Sequence, residues 1–283
     1  MKIGFVGGGN MAQALMGGLV AKRIDADFVI IEPHAKTRET LARTVDRIAL
    51  HDVPSADLTA CDAVIFAVKP QQFREAATSA ARWLVQSITR PLVISIAAGI
   101  RTHEIAHWLG AEHAHRAIVR AMPNTPALIG EGITGLYATE AVDARGRALA
   151  ETLLGAVGQT LWVADEAKLD AITAVSGSGP AYVFAFIEAL QRGACELGIA
   201  EADARRLAVA TFVGASRLAS GSAEPISVLR ERVTSPGGTT HAALTHMRNS
   251  GVDAAIVAAV HAAAERSIEI GDELASQAGF SPS

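Results

Sequence analysis

The sequence predicts an α/β chain in two parts, a doubly wound parallel sheet followed by an all-α domain, on three observations. Short β-branched runs alternate with longer helical patterns through the first part of the chain. A triple glycine directly follows the first of these runs. Beyond residue 164 the runs stop, and long alanine-rich helical stretches take over. Strand–helix alternation is the pattern of a parallel sheet with right-handed crossovers. The expected boundary lies between residues 163 and 164.

The elements follow in order. Ile3–Val6, Phe28–Ile31, Ala63–Val68 and Leu92–Ile96 are short and apolar throughout, as strands covered on both faces must be. Asn10–Lys22, Thr37–Arg43 and Phe73–Gln86 between them have helical spacing, and Thr102–Gly110 is a further helix. Ile118–Ala121, Ile133–Tyr137 and Thr160–Val163 can extend the sheet. Ala181–Leu197, Glu201–Ala219 and Val252–Ala275 are the long helices of the second domain, joined by Gly/Ser/Pro segments.

Composition narrows the function classes. The chain has 283 residues, half of them hydrophobic and 19% charged, which fits a folded protein and not a disordered one. Its net charge of −4, without a Lys/Arg block, gives no footprint for nucleic acid. The apolar start is broken at Gly7 after four residues, so no secretory signal is expected. The apolar stretch Asp253–Ala264 is too short for a membrane span. A cytoplasmic protein without membrane partners is the expectation. Cys61 and Cys195 form no CxxC, and neither a disulfide framework nor a metal site is expected.

Gly7-Gly8-Gly9-Asn10-Met11-Ala12 matches G-x-G-x-x-A, with a strand before it and a helix after it. That context makes it a Rossmann-type dinucleotide loop. Gly7 serves the tight turn, Gly9 admits a pyrophosphate to the backbone, and Ala12 lets helix and strand pack closely. The amides of Gly8, Asn10 and Met11 stand at the positive end of the helix. Residues 1–163 are thus expected to bind a nicotinamide dinucleotide.

Glu32 ends the second strand, 23 positions after Gly9, where a carboxylate reads the ribose hydroxyls of NAD and repels a 2′-phosphate. Lys36 and Arg38 follow closely and can offset a phosphate's charge, or simply face solvent. NADH and NADPH both remain open, with a lean to NADH. Ala67-Val68-Lys69-Pro70, at the carboxyl end of a strand, should face the same cleft. Lys69 there is either a cofactor contact or a surface lysine before a proline-started helix.

Three segments carry turn chemistry beyond that of plain connectors: Met122-Pro123-Asn124-Thr125-Pro126, Ser176-Gly177-Ser178-Gly179-Pro180, and Val233 to Thr240. In the last, Gly237 and Gly238 let bare amides converge at the start of a helix near Thr239, a carboxylate site. Ser235, Thr239 and Thr240 add hydroxyls. A plain N-cap would account for one hydroxyl, not for two glycines and three hydroxyls. None of the three segments holds the His–Asp or Lys–Asn pair of a 2-hydroxy acid dehydrogenase. The nine histidines are scattered: His103, His107, His113 and His115 surround one helix, and His241 and His246 do not share a helical face. Hydroxyls without a strong acid suit a bond that is easily protonated, such as an imine.

These segments together resemble Δ1-pyrroline-5-carboxylate reductase. The resemblance rests on Ile3 to Ala12, Ala67–Pro70, Met122–Pro126, Val175 to Tyr182 and, most specifically, Pro225 to Leu244 around Ser235–Thr240. It runs in order over nearly the whole chain. It implies NAD(P)H-dependent reduction of the C=N bond of 1-pyrroline-5-carboxylate to L-proline, the last step of proline synthesis. It implies also a homodimer made by interleaved C-terminal helical domains, with assembly into a ring of dimers in some members, and residues 164–283 as the dimerisation and substrate domain. On that resemblance the pyrophosphate lies on Gly7–Met11, and the nicotinamide lies near Ala97, Ala98 and Asn124. The substrate carboxylate meets Ser235 and the amides of Gly237, Gly238 and Thr239. Thr240 is the catalytic hydroxyl on the ring nitrogen. Position 32 is a departure, because members preferring NADPH often carry a small polar residue where this chain has Glu32.

Two alternatives stay open at this stage. One is another reductase that pairs a Rossmann domain with a helical one, such as a 3-hydroxyacid or an F420-dependent NADP oxidoreductase; the first would need a lysine that Ala181–Leu197 lacks. The other is a non-catalytic NAD(H)-sensing dimer, which would not need the Ser235–Thr240 segment. Alanine makes up about a fifth of the chain. Small side chains let helices approach closely, which suits an interleaved helical core.

Overall fold

The computed structural model describes residues 1–87, 90–110, 117–277 and 279. The sheet is built from β1 (Lys2–Val6), β2 (Asp27–Ile31), β3 (Ile48–His51), β4 (Ala63–Phe66), β5 (Leu92–Ser95), β6 (Ile118–Met122), β7 (Gly132–Ala138) and β8 (Gly158–Trp162). Its order is β3-β2-β1-β4-β5-β6-β7-β8, and every pair is parallel except β6–β7. The direction of winding reverses between β1 and β4, where the chain leaves edge strand β3 to start the other half.

Helices α1 (Asn10–Ala21), α2 (Ala35–Thr44), α3 (Pro70–Gln86), α4 (Thr102–Trp108) and α5 (Ala144–Leu154) cover the two faces. Successive strand residues point to opposite faces. Ile3, Phe5, Phe28, Ile30 and Ile65 accordingly pack with Leu15, Met16 and Leu19 of α1 and Leu153 and Leu154 of α5. Val6, Val29, Ile31, Val64 and Phe66 pack with Phe73, Ala77 and Leu84 of α3 and Ile105 and Trp108 of α4. Both faces being dry explains why these strands read as unbroken apolar runs.

Three features depart from the sequence reading. β3 is an added edge strand, half-buried and flanked by Arg47 and Asp52, too short and mixed to stand out. β7 runs antiparallel to β6, because a short 3₁₀ turn (Thr125–Ile129) joins them where a parallel pair needs a full crossover. The Ser176–Pro180 segment is not a loop. It runs from the end of a π-helical turn (Thr173–Gly177), which follows α6 (Lys168–Ile172), through Ser178 into α7 (Gly179–Glu196), with the Ser178 N–H donating to the Thr173 carbonyl at 2.8 Å. Pro180 has no N–H to continue an α-type ladder through this point, and the wider turn absorbs that loss.

The remaining helices are α8 (Glu201–Ser220), α9 (Ile226–Arg232), α10 (Thr239–Asn249) and α11 (Val252–Gln277). Packing divides the chain into two compact units, 1–178 with 263–283 and 179–262. The last strand ends at Trp162, one residue before the expected 163/164 boundary. The first unit, however, continues to Ser178 and takes back the chain from Ala263. It does so because Ser267, Gly271 and Ala275 of α11 are buried within it. In the second unit α7 and α8 form a hairpin turned at Gly198 (φ +89°), with Phe186 against Phe212 at 6.3 Å. No residue of α7 is buried, and Phe184 is 61% exposed.

Candidate active site

The carboxyl ends of β1, β2, β4, β5 and β6 lie side by side and carry Gly7, Glu32, Ala67, Ala97 and Asn124 respectively. Five of the expected positions, from segments far apart in sequence, are therefore brought to one edge of the sheet. It is the edge where open α/β sheets bind ligands, and β1 and β4 flank the reversal point.

Gly7 closes the turn after β1. Its φ is +98°, its N–H donates to the Ile31 carbonyl at 2.8 Å, and a Cβ there would stand 2.7 Å from the Ala67 carbonyl oxygen. A side chain is excluded at this position by conformation and by space together. Gly8 is buried, and a Cβ on it would stand 2.8 Å from Cδ1 of Leu41. Gly9 is different: it is exposed, and a Cβ would meet nothing within 4 Å. Its glycine answers no demand of the fold. Gly9 is also the N-cap of α1, and no side chain caps the helix. The amides of Asn10, Met11 and Ala12 thus open an uncapped helix end beside free space, which fits the pyrophosphate of a dinucleotide. Ala12 is fully buried against the sheet.

Glu32 is almost completely buried, 6% exposed. Its Oε2 accepts the Gly8 N–H and its Oε1 the His34 N–H, both at 2.9 Å. Arg38 donates to the carbonyl oxygens of Glu32 and Pro33 at 2.7 and 2.8 Å, while Lys36 is exposed. Val68 reaches the Gly7 turn; Lys69 is exposed at the N-cap of α3, before Pro70 at its start. The Ala97 N–H donates to Ser95 Oγ at 3.3 Å, and Ala98 beside it is half-buried. Asn124 is buried, and its Oδ1 accepts the Ile133 N–H at 3.0 Å, which ties its carboxamide to β7.

The other expected site lies in the second unit. Ser235-Pro236-Gly237-Gly238 is a β-turn, with the Gly238 N–H donating to the Ser235 carbonyl at 3.0 Å and Gly237 at φ +71°. Proline then a left-handed glycine is the chemistry of a type II turn. Gly238 is the N-cap of α10, and neither Ser235 nor Thr239 caps that helix. The amides of Thr239 and Thr240 begin the helix; Thr240 is half-buried, and Ser235, Gly237 and Thr239 are exposed.

A cluster of largely buried charge at the start of α4 escaped the sequence reading. Glu166 accepts the Thr102 N–H and hydroxyl at 2.8 and 2.7 Å and Arg120 at 3.1 Å. Glu104 is fully buried; burial pushes its carboxyl up, although its Oε2 accepts the Arg101 N–H at 2.8 Å. Cys61 is buried too, its thiol pushed up to about 12 by burial, as in an inert core residue. His113 and His115 lie outside the described residues. No cluster of His, Cys, Asp and Glu able to hold a metal occurs among the described residues. No helix among them is long and apolar enough to cross a membrane.

Residues 166–270 match the family model described as pyrroline-5-carboxylate reductase dimerisation, and residues 2–99 match that described as NADP oxidoreductase, coenzyme F420-dependent. A curated pyrroline-5-carboxylate reductase of Pseudomonas aeruginosa is 40% identical over 276 residues, 96% of this chain and 98% of that one. The chain belongs to the pyrroline-5-carboxylate reductase family. A solved pyrroline-5-carboxylate reductase of Coxiella burnetii superposes with a TM-score of 0.88 at 36% identity, covering 95% of this chain and 97% of that one. A Plasmodium falciparum pyrroline carboxylate reductase solved with NADP bound gives 0.81 at 27%, covering 96% and 98%. The F420-dependent description reaches only the nucleotide half. It is the reductase dimerisation model that takes in the Ser235–Thr240 turn.

Proposed function

We propose that this chain reduces the C=N bond of 1-pyrroline-5-carboxylate to L-proline with NADH or NADPH. The observation that carries the reading is the Ser235–Gly238 turn, which delivers uncapped amides and three hydroxyls to one helix start. The substrate carboxylate meets Ser235 Oγ and the amides of Gly237 and Thr239, at a helix end carrying roughly half a positive charge; the Gly238 amide, expected to join them, is spent on the Ser235 carbonyl and closes the turn that presents the other two. Thr240 Oγ1 accepts the N–H of the bound iminium. A threonine is a poor acid, so this hydroxyl orients the ring and the imine binds already protonated. When bound, the nicotinamide supplies a hydride to the imine carbon. Gly7, Gly8, Gly9, Asn10, Met11, Glu32, Ala67, Val68, Lys69, Pro70, Ala97 and Asn124 would hold the dinucleotide. Positioning two reactants together is the main source of rate.

A homodimer formed through residues 164–283, with further assembly into a ring of dimers, belongs to the same proposal, as does a cytoplasmic setting. α7 packs on α8 yet buries none of its residues fully and exposes Val183, Phe184 and Leu190, which favours a partner copy. The test is oxidation of NADH or NADPH by the purified protein with and without 1-pyrroline-5-carboxylate. Oxidation that requires the substrate and yields L-proline supports the reading. Binding of the dinucleotide without any such turnover would favour the NAD(H)-sensing alternative.

A further inference from the structure

We propose that Glu32 makes this site select the dinucleotide that lacks a 2′-phosphate, so that the chain is an NADH-preferring member of its family. The inference rests on the reading of Gly7–Ala12 as the cofactor loop and deepens it. Glu32 follows the last residue of β2, and Ile31 beside it takes the Gly7 N–H, so the acid stands directly against the loop. Its rotamer is held from both sides. Gly8 donates to one carboxylate oxygen and His34 to the other, each at 2.9 Å. A carboxylate has about four lone-pair sites, so acceptor capacity remains for two ribose hydroxyls. A 2′-phosphate brings only further negative charge and acceptors to a group that can donate nothing.

The nearby cations do not reverse this. Arg38 could in principle cradle a phosphate, as an arginine does in NADP-binding sites. Here its guanidinium clamps the carbonyl oxygens of Glu32 and Pro33, holding the backbone of the turn that presents the acid. Releasing it would break two charge-assisted hydrogen bonds and loosen Glu32 itself. Lys36 is exposed on α2 and strongly hydrated, and a solvated surface charge offsets little of a partly buried repulsion. Arg38 and Glu32 therefore act as one device. The arginine fixes the turn, and the acid does the discriminating.

The experiment is calorimetric titration of the full-length protein with ADP-ribose and with 2′-phospho-ADP-ribose, which carry the adenosine end of each cofactor without the reacting ring. The expected result is that ADP-ribose binds at least about tenfold more tightly. Glu32→Gln keeps the size and one acceptor but removes the charge, and should shrink that ratio at least about fivefold; Glu32→Ser should do the same by a different geometry. The ratio of kcat/KM for NADH and NADPH should move in parallel. Tighter or equal binding of the phosphorylated probe by the unaltered protein overturns the proposal while leaving the cofactor loop in place. So does an unchanged ratio in both variants. Failure of both probes to bind would overturn the cofactor-loop reading itself, and this proposal with it.

Discussion

Arg101 and Asp272 stand 171 positions apart in sequence and pair at 2.7 Å, joining the start of α4 to the last helix. Near them the Ser267 hydroxyl donates to Asp170 at 2.7 Å, with both residues buried. A Cβ on Gly271 would stand 3.2 Å from the carbonyl of Gly99, in the turn that follows Ala97 and Ala98. The C-terminal half of α11 is thus pinned against the loop that ends β5, part of the expected cofactor edge.

Ser267→Ala leaves the buried Asp170 carboxylate without its donor. The expected cost is about 1–3 kcal/mol, read as a lower urea midpoint at unchanged slope. The double variant with Asp170→Ala should cost less than the sum of the two single changes, because each alone removes the same bond. Strict additivity would mean the contact contributes nothing.

Glu104 sets a pH dependence. Burial raises its folded pKa above the ordinary 4.5 of the unfolded chain. Below 4.5 both states hold the proton. As pH rises past that value the unfolded chain ionises first and the folded state keeps its proton, so stability falls until the folded group also ionises. Glu104→Gln removes that loss. Urea titrations across pH should show the variant gaining on the parent protein as pH rises above 4.5, with a constant difference below it. A difference that stays flat throughout would contradict the burial argument.

Gly9→Ser separates folding from binding. The space beside Gly9 is open and serine is a good N-cap, so stability should hold or rise by a few tenths of a kcal/mol. The new side chain occupies the pyrophosphate's approach, and ADP-ribose should bind at least about tenfold more weakly. Undiminished binding would remove Gly9 from the cradle. Gly7→Ala, by contrast, should destabilise the fold, since φ is +98° and the Ala67 carbonyl is in the way.

Thr240→Ala should lower kcat by roughly tenfold or more with little change in dinucleotide affinity, because the hydroxyl is assigned to the ring nitrogen alone. Steady-state kinetics and the same calorimetric titration separate the two effects. Unchanged turnover would take Thr240 out of the site.

Much of this was legible in the chain. β1, β2, β4 and β5 announced themselves as dry apolar runs, and the glycine loop showed through its flanks. The Ser-Pro-Gly-Gly turn is local chemistry and reads directly. What stayed hidden depends on distant partners. β3 is an edge strand whose residues look like a connector, and β7 turns antiparallel because its link is short. Gly177 and Gly179 suggest a loop, yet the chain stays helical by widening one turn ahead of Pro180. The Arg101–Asp272 and Ser267–Asp170 contacts join segments that no periodicity relates, and so the return of α11 to the first unit could not be anticipated. Glu32 was visible as an acid in the right place, but its two backbone donors and the clamp on Arg38 were not.

The most direct measurement follows the hydride. With 1-pyrroline-5-carboxylate and NADH deuterated at the transferred position, mass spectrometry of the product should find L-proline carrying a single deuterium at the former imine carbon, in step with cofactor oxidation. Cofactor oxidation without labelled proline, or no oxidation at all by the folded protein, would contradict imine reduction at this site.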